Sequence, residues 1–289
     1  MSDLFDFDRA PDEYAVMGNP IAHSKSPQIH AMFAEQTRQN IRYRAIQVDP
    51  GGLAQAVGNF FASGGKGLNI TVPFKQDAWH LANELSDTAH LAGAVNTLKP
   101  SADGGLFGDN TDGIGLVRDL VQNLGVTLED KKLLLVGAGG AARGVIAPLL
   151  EREPRQLTIV NRTMDRAHEL VQHFAGIGRL DAKSFSALDG EHFDVVINAT
   201  SASLQGDLPP LPVSTLIHAQ LVYDMMYGRE PTLFLQWAGR QGSADVSDGL
   251  GMLVEQAAES FFIWRSVKPD TAPVIQRLRA GFNHHTTAT

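Results

Sequence analysis

The chain is predicted to form two α/β domains. Apolar segments of strand length alternate with segments of helix length. One of those strands runs directly into a glycine-rich turn followed by a helix. The 289 residues also exceed one domain of roughly 100–200 residues.

Residues 14–18 (YAVMG) and 41–48 (IRYRAIQV) read as strands. Between them, Ser26 as N-cap and Pro27 as first helical residue open a helix running to residue 39. A helix over 53–62, a strand over 67–72 (GLNITV) and a helix over 74–85 follow. Residues 94–99 and 106–109 read as a hairpin around the turn-rich SADGG of 101–105. A helix over 113–124 starts after Asn110–Thr111–Asp112, and the domain boundary is placed there. Beyond it, 133–136 is a continuous apolar run, the pattern of a strand buried on both faces. Helices over 139–150 and 163–174, and strands over 157–160, 194–198, 221–224 and 244–246, complete the second unit with a helix over 231–240. Helices over 250–267 and 273–280 close the chain and are expected to return to the first domain. The expected domains are therefore 1–111 with 250–289, and 112–249.

Composition narrows the function. The net charge is −8, with no basic patch of the kind a nucleic-acid partner needs, and no apolar run approaches the roughly 18–20 residues of a membrane span. The acidic start MSDLFDFDRA lacks the order of a signal peptide, so a cytoplasmic protein is expected. With no cysteine, thiolate metal sites and cysteine nucleophiles are excluded; no His/Asp/Glu cluster has metal-ligand spacing, and the His284–His285 pair reads as incidental.

The sharpest local signal is KLLLVGAGGAARGV at 132–145. Gly137 permits the tight turn, and Gly139 lets a pyrophosphate reach the backbone. Small residues at Gly140, Ala141 and Ala142 keep the helix close to the strand, leaving N–H groups for the phosphate. This is a Rossmann-like dinucleotide site. The next strand tip chooses the cofactor. An NAD site places a carboxylate there for the ribose 2′-OH. Here the tip is Asn161–Arg162–Thr163, with Arg166 one turn on. Two cations at a helix start oppose the helix dipole, whereas a bound 2′-phosphate explains them. NADP is therefore expected.

Further polar residues gather at predicted strand ends and turns: Ser24 and Ser26, then Asn69, Thr71 and Lys75, then Asn96 and Asp112. Each alone has an ordinary structural reading; together they suggest a ligand site. The motifs GNPIAHSKSPQIH, LNITVPFK, AGAVNT, GDNTDG, GAGGAARG, NRT and DGLGMLVEQAA, in this order, resemble the shikimate dehydrogenase family from Val16 to Ala258. The resemblance implies an N-terminal substrate-binding domain, a Rossmann-like NADP-binding domain, and reversible NADPH-dependent reduction of 3-dehydroshikimate to shikimate in chorismate and aromatic amino-acid biosynthesis. It also implies roles. Ser24 and Ser26, with Tyr227, bind the substrate carboxylate. Asn69, Thr71, Asn96 and Gln256 read ring hydroxyls. Lys75 and Asp112 form the catalytic pair, their division of acid–base work left open. Gly137, Ala138, Gly139, Gly140, Ala141, Asn161, Arg162, Thr163, Arg166, Met225 and Gly249 contact NADP, with Asp87 a further position. The expected partner is the small-molecule substrate alone, in a monomer or homodimer. A quinate/shikimate dehydrogenase with relaxed cofactor use, a non-catalytic NADP sensor, and an enzyme of a related amino-substituted ring acid are the competing readings.

Overall fold

The computed structural model describes residues 10–202, 206–242 and 245–283. The chain divides into two compact units. One comprises the described residues up to His90, with Ala94–Asn110 and Ala257–Asp270; the other comprises Leu91–Gly93, Thr111–Gln256 and the chain from Thr271. Among the described residues no helix is long and apolar enough to cross a membrane.

In the first unit the order is β1 (Asp12–Gly18), α1 (Ser26–Thr37), β2 (Ile41–Gln47), α2 (Leu53–Ala62), β3 (Gly67–Ile70), α3 (Lys75–Leu81), β4 (Glu84–Leu85), α4 (Asp87–Ala92), β5 (Thr97–Pro100) and β6 (Leu106–Asp109). The sheet runs β2-β1-β3-β5-β6-β4, parallel around β1 and antiparallel at β5. One core joins Met17, Leu68, Ile70 and Leu98 to Val57, Phe60 and Phe74. Tyr43 and Trp264 instead meet His30 and Phe33 of α1 and Phe261 in an aromatic layer.

Two local expectations are corrected here. Lys25, not Ser26, is the N-cap of α1; Ser26 is its first residue, with Pro27 next. The helix expected over 74–85 stops at Leu81, where Ala82 turns extended. Asn83 exchanges hydrogen bonds with Leu106, which pulls 84–85 into the sheet beside β6. A distant strand there outcompetes local helix propensity.

The second unit contains α5 (Asp112–Arg118), β7 (Lys132–Val136), α6 (Gly140–Leu150), β8 (Gln156–Val160), α7 (Met164–His173), β9 (Leu180–Lys183), β10 (Val195–Asn198), α8 (Ser214–Ile217), β11 (Leu221–Asp224), α9 (Leu233–Arg240), β12 (Asp245–Asp248), the first part of α10 (Leu250–Arg265) and α11 (Ala272–Asn283). Its sheet runs β12-β11-β10-β7-β8-β9, wholly parallel. The doubly wound order reverses between β7 and β10, where such sheets bind ligands at their carboxyl ends. Pleating divides the strands between two cores. Leu133, Leu135, Ile159 and Ile197 enter one, and Leu134, Val136, Val160 and Val196 the other.

The helix expected over 113–124 also differs. After Arg118 it widens into one π-helical turn, Asp119–Asn123, closed by Leu124 N–H donating to the Asp119 carbonyl. The Asp119 carboxylate explains the break: it is buried and accepts from Tyr223 Oη (2.7 Å) and Asn123 Nδ2 (2.9 Å). Burial raises its pKa and these donors oppose the rise. Residues 250–289, expected with the first domain, are divided. The boundary falls within α10, between Gln256 and Ala257, and α11 belongs to the second unit. Arg279 forks onto the Asp248 carboxylate, and Thr271 Oγ1 donates to Glu255 Oε1 at 2.6 Å. Ala244, part of the expected strand over 244–246, and the His284–His285 pair lie outside the described residues; the strand is Asp245–Asp248.

Candidate active site

Most of the expected substrate residues of the first unit sit at or just beyond the carboxyl ends of β1 and β3. These loops lie together: Thr71 N–H donates to the Met17 carbonyl and Asn19 N–H to the Val72 carbonyl. A Cβ on Gly18 would come within 2.4 Å of Thr71 Cγ2, so only glycine allows this approach. Ser24 turns back on Ile21 and its Oγ accepts from Ser26 N–H at 3.3 Å. Lys75 opens α3, half-buried, and its carbonyl accepts from Val95 N–H, fixing the AGAVNT loop against that helix.

The two amides form one buried network. Asn69 Nδ2 lies within hydrogen-bond reach of the Asn96 carbonyl (3.1 Å), Thr97 Oγ1 (3.2 Å) and Ser260 Oγ (2.9 Å). Thr97 Oγ1 in turn donates to Asn96 Oδ1 at 2.9 Å. Tyr43 Oη donates to Asn69 Oδ1 at 2.7 Å. Burial raises the Tyr43 pKa well above the ordinary range, with a hydrogen bond from Ser26 working the other way. His30, fully buried, stacks flat on Tyr43 with ring centroids 4.1 Å apart. Neither of its nitrogens meets a partner at close hydrogen-bond geometry, though the Asn69 side chain is near enough to interact. Desolvation, only partly offset by nearby Asn69, lowers its pKa to about 3, so it is neutral.

Sequence reasoning missed Tyr43, Thr97 and Ser260. Alternation in IRYRAIQV places Tyr43 on one strand face, but its partner is 26 residues away, and Ser260 lies 191 residues from Asn69.

The other expected residues belong to the second unit, except Asp87, which starts α4 in the first unit and is exposed. Asp112 is the buried first residue of α5. Thr111 Oγ1 donates to the Gln256 carbonyl at 3.0 Å, and a Cβ on Gly115 would strike Gln256. Asp112 and Gln256 are thus carried on helices in direct contact. Met225 and Gly249 also meet: a Cβ on Gly249 would come within 2.2 Å of the Met225 carbonyl. Fully buried Asp224 anchors the loop holding Met225 and Tyr227, accepting from Asn198 Nδ2, Met226 N–H and Thr232 Oγ1.

The glycine loop fits a dinucleotide. Gly137 adopts φ +111° after β7, and a Cβ there would meet Thr200 Cγ2 at 2.9 Å, at the switch point between β7 and β10. Gly139 is the N-cap of α6, without a side-chain cap, so the first helical N–H groups are left for an anion. A Cβ on Gly139 or Gly140 would meet nothing within 4 Å, and both residues are exposed. At the tip of β8 stands Asn161, whose Nδ2 donates to the Thr163 carbonyl at 2.8 Å; Arg162 and Arg166 are exposed. Asp165 lies in the first turn of α7, so no carboxylate occupies the strand tip itself. Among the described residues no group of three or more His, Asp or Glu side chains could hold a metal ion.

The chain matches known proteins along most of its length. Residues 16–98 match the shikimate dehydrogenase substrate binding domain, residues 119–205 the shikimate/quinate 5-dehydrogenase family, and residues 249–279 the shikimate 5′-dehydrogenase C-terminal domain. The chain is 56% identical over 268 residues to the shikimate dehydrogenase (NADP(+)) of Cellvibrio japonicus, covering 93% of this chain and 97% of that one. Its fold is similar to that of an Ael1 enzyme from Pseudomonas putida, with TM-score 0.89, 49% identity and coverage of 92% and 98%. It is also similar to shikimate 5-dehydrogenase from Thermus thermophilus, solved with NADP(H) and shikimate, with TM-score 0.83, 31% identity and coverage of 93% and 99%. The chain belongs to the shikimate dehydrogenase family.

Proposed function

We propose that this protein is a cytoplasmic enzyme that reversibly reduces 3-dehydroshikimate to shikimate with NADPH, within aromatic amino-acid biosynthesis. The observation that carries this reading is the polar network of the first unit. Two buried amides, Asn69 and Asn96, share the Thr97 hydroxyl next to the loop fixed on Lys75, and Ser24 and Ser26 follow the adjoining strand. Such a set suits a small ring that carries several hydroxyls and one carboxylate.

Ser24, Ser26 and Tyr227 are the proposed carboxylate contacts; Asn69, Thr71, Asn96 and Gln256 the hydroxyl contacts. The first helical turn of α6, with Gly137 to Ala141, takes the pyrophosphate of NADP. Asn161, Arg162, Thr163 and Arg166 take the 2′-phosphate, Met225 and Gly249 border the nicotinamide, and Asp87 is a further cofactor contact. NADP, when bound, supplies or accepts the hydride. Lys75 donates a hydrogen bond to the C3 oxygen and stabilises the negative charge that develops there. Lys75 and Asp112 together deliver the proton to that oxygen, or remove it in the oxidative direction. The relatives named for NADP(+), and the Arg162–Arg166 pair at a strand tip without a carboxylate, support the cofactor choice.

Nicotinamide absorbance, followed with shikimate and with quinate, each with NADP and with NAD, tests this reading. Fast turnover with shikimate and NADP alone is the expected result. Comparable rates with quinate or NAD make the enzyme a relaxed quinate/shikimate dehydrogenase. No rate with any pair leaves a cofactor-binding protein with the substrate wrongly assigned.

A further inference from the structure

We propose that Tyr43 is a positioning residue of the substrate site: its hydroxyl sets the orientation of the Asn69 amide, so that Asn69 meets a ligand hydroxyl as an acceptor. The argument counts hydrogens. The Asn96 carbonyl can only accept, so the Asn69 amide must turn its nitrogen toward that carbonyl at 3.1 Å. The two protons of Nδ2 then have three acceptors within reach, the others being Thr97 Oγ1 and Ser260 Oγ. No donor capacity is left over. The amide oxygen consequently faces Tyr43 Oη, 2.7 Å away, and the phenol must donate to it. Oδ1 carries two lone pairs and Tyr43 uses one. What Asn69 can offer a ligand is therefore acceptor capacity alone, which selects a hydroxyl over an ether or ketone at that point.

Tyr43 can do this because its ring is itself held. It lies on β2, stacked on His30 with an interplanar angle of 6°, with Trp264 also against it. His30, a neutral imidazole, contributes a flat surface. Burial keeps the phenol protonated, and hence a donor. Ser26 hydrogen-bonds the same phenol oxygen. One hydroxyl absent from every sequence motif therefore links a proposed carboxylate contact to a proposed ring-hydroxyl contact.

The inference rests on the reading of Asn69 as a ring-hydroxyl contact, and its test separates the two. Tyr43→Phe removes the hydroxyl and keeps the stack. The side-chain amide signals of Asn69 in ligand-free protein, identified by their loss in Asn69→Ala, are expected to move in Tyr43→Phe. KM for shikimate is expected to rise about 5- to 10-fold, the scale of one neutral hydrogen bond, with kcat within about 2-fold and KM for NADP unchanged. Amide signals that stay in place, or an unchanged shikimate KM, overturn the proposal. So does a Tyr43→Phe protein that unfolds, or that loses kcat and raises both KM values together, since either marks a structural role. A wild-type protein inactive on shikimate would sink the functional reading, while the amide signals would still decide whether Tyr43 orients Asn69.

Discussion

The two units bind by different means. In the first, the candidate ligand groups are side chains drawn from separate segments and wired together before any ligand arrives: Tyr43 to Asn69, Asn69 to Ser260, Thr97 to Asn96. In the second, the proposed cofactor cradle is backbone. It consists of Gly137 to Ala141, exposed at Gly139 and Gly140, with two exposed arginines at the neighbouring strand tip. A buried amide must have its partners in place, because an unsatisfied one costs about 1–3 kcal/mol. An exposed N–H row is satisfied by water until an anion replaces it. The first site should therefore couple specificity to fold stability, and the second should not.

Four perturbations test that contrast, beginning with the largest effect. Lys75→Ala removes the proposed acid–base group and is expected to lower turnover on the order of 10²- to 10⁴-fold, with little change in shikimate KM. Steady-state rates near wild type would remove Lys75 from the mechanism. Next, the double substitution Arg162→Ala/Arg166→Ala removes solvent-exposed charge-assisted hydrogen bonds worth roughly 1.5–3 kcal/mol together. KM for NADP should rise on the order of 10- to 100-fold, while activity with NAD and the melting temperature stay put. An equal loss with both cofactors would move the 2′-phosphate elsewhere.

The third perturbation is pH, and it acts on the first unit. His30 titrates at about 3 when folded, against an ordinary 6.5. Between those values the unfolded chain binds a proton that the folded chain refuses, so stability is lost as pH falls from about 6.5. The expected loss from pH 7 to pH 5 is about 2 kcal/mol. Chemical denaturation of His30→Phe should show that slope flattened; an undiminished slope would assign the pH dependence to other groups. The smallest effect contrasts two glycines. Gly137→Ala forces a side chain into a positive-φ position facing Thr200 and should destabilise the fold by about 1 kcal/mol or more. Gly139→Ala meets open space, so its melting curve should match wild type while NADP binding weakens. A Gly139→Ala variant that melts below wild type would break the claim that the exposed part of the loop carries no fold stability.

How much was legible in advance followed from range. The glycine turn, the strand tip at Asn161–Arg162–Thr163 and the doubly wound second domain announce themselves within short contiguous stretches. There, backbone demands select residue types directly. The substrate side chains drew notice as isolated polar residues at strand ends, and only their order along the chain, as a resemblance, gave them roles. Where local propensity had the wrong competitor in view, the reading slipped. Residues 82–85 leave the helix for a strand bond to Leu106, and 119–123 widen to accommodate a buried Asp119 tied to Tyr223.

By itself, then, the sequence determined the α/β class and the dinucleotide turn, and set the expectation of a 2′-phosphate over a bare ribose, because each depends on neighbours within about a turn of helix or a strand. Only the tertiary structure decided that α11 joins the second unit through Arg279 and Asp248, and that Tyr43 and Ser260 hydrogen-bond Asn69. Those assignments depend on hydrogen bonds closed between segments tens to hundreds of residues apart. The residues that close them, a tyrosine in a strand and a serine in a helix, have ordinary local roles that leave no mark on the pattern.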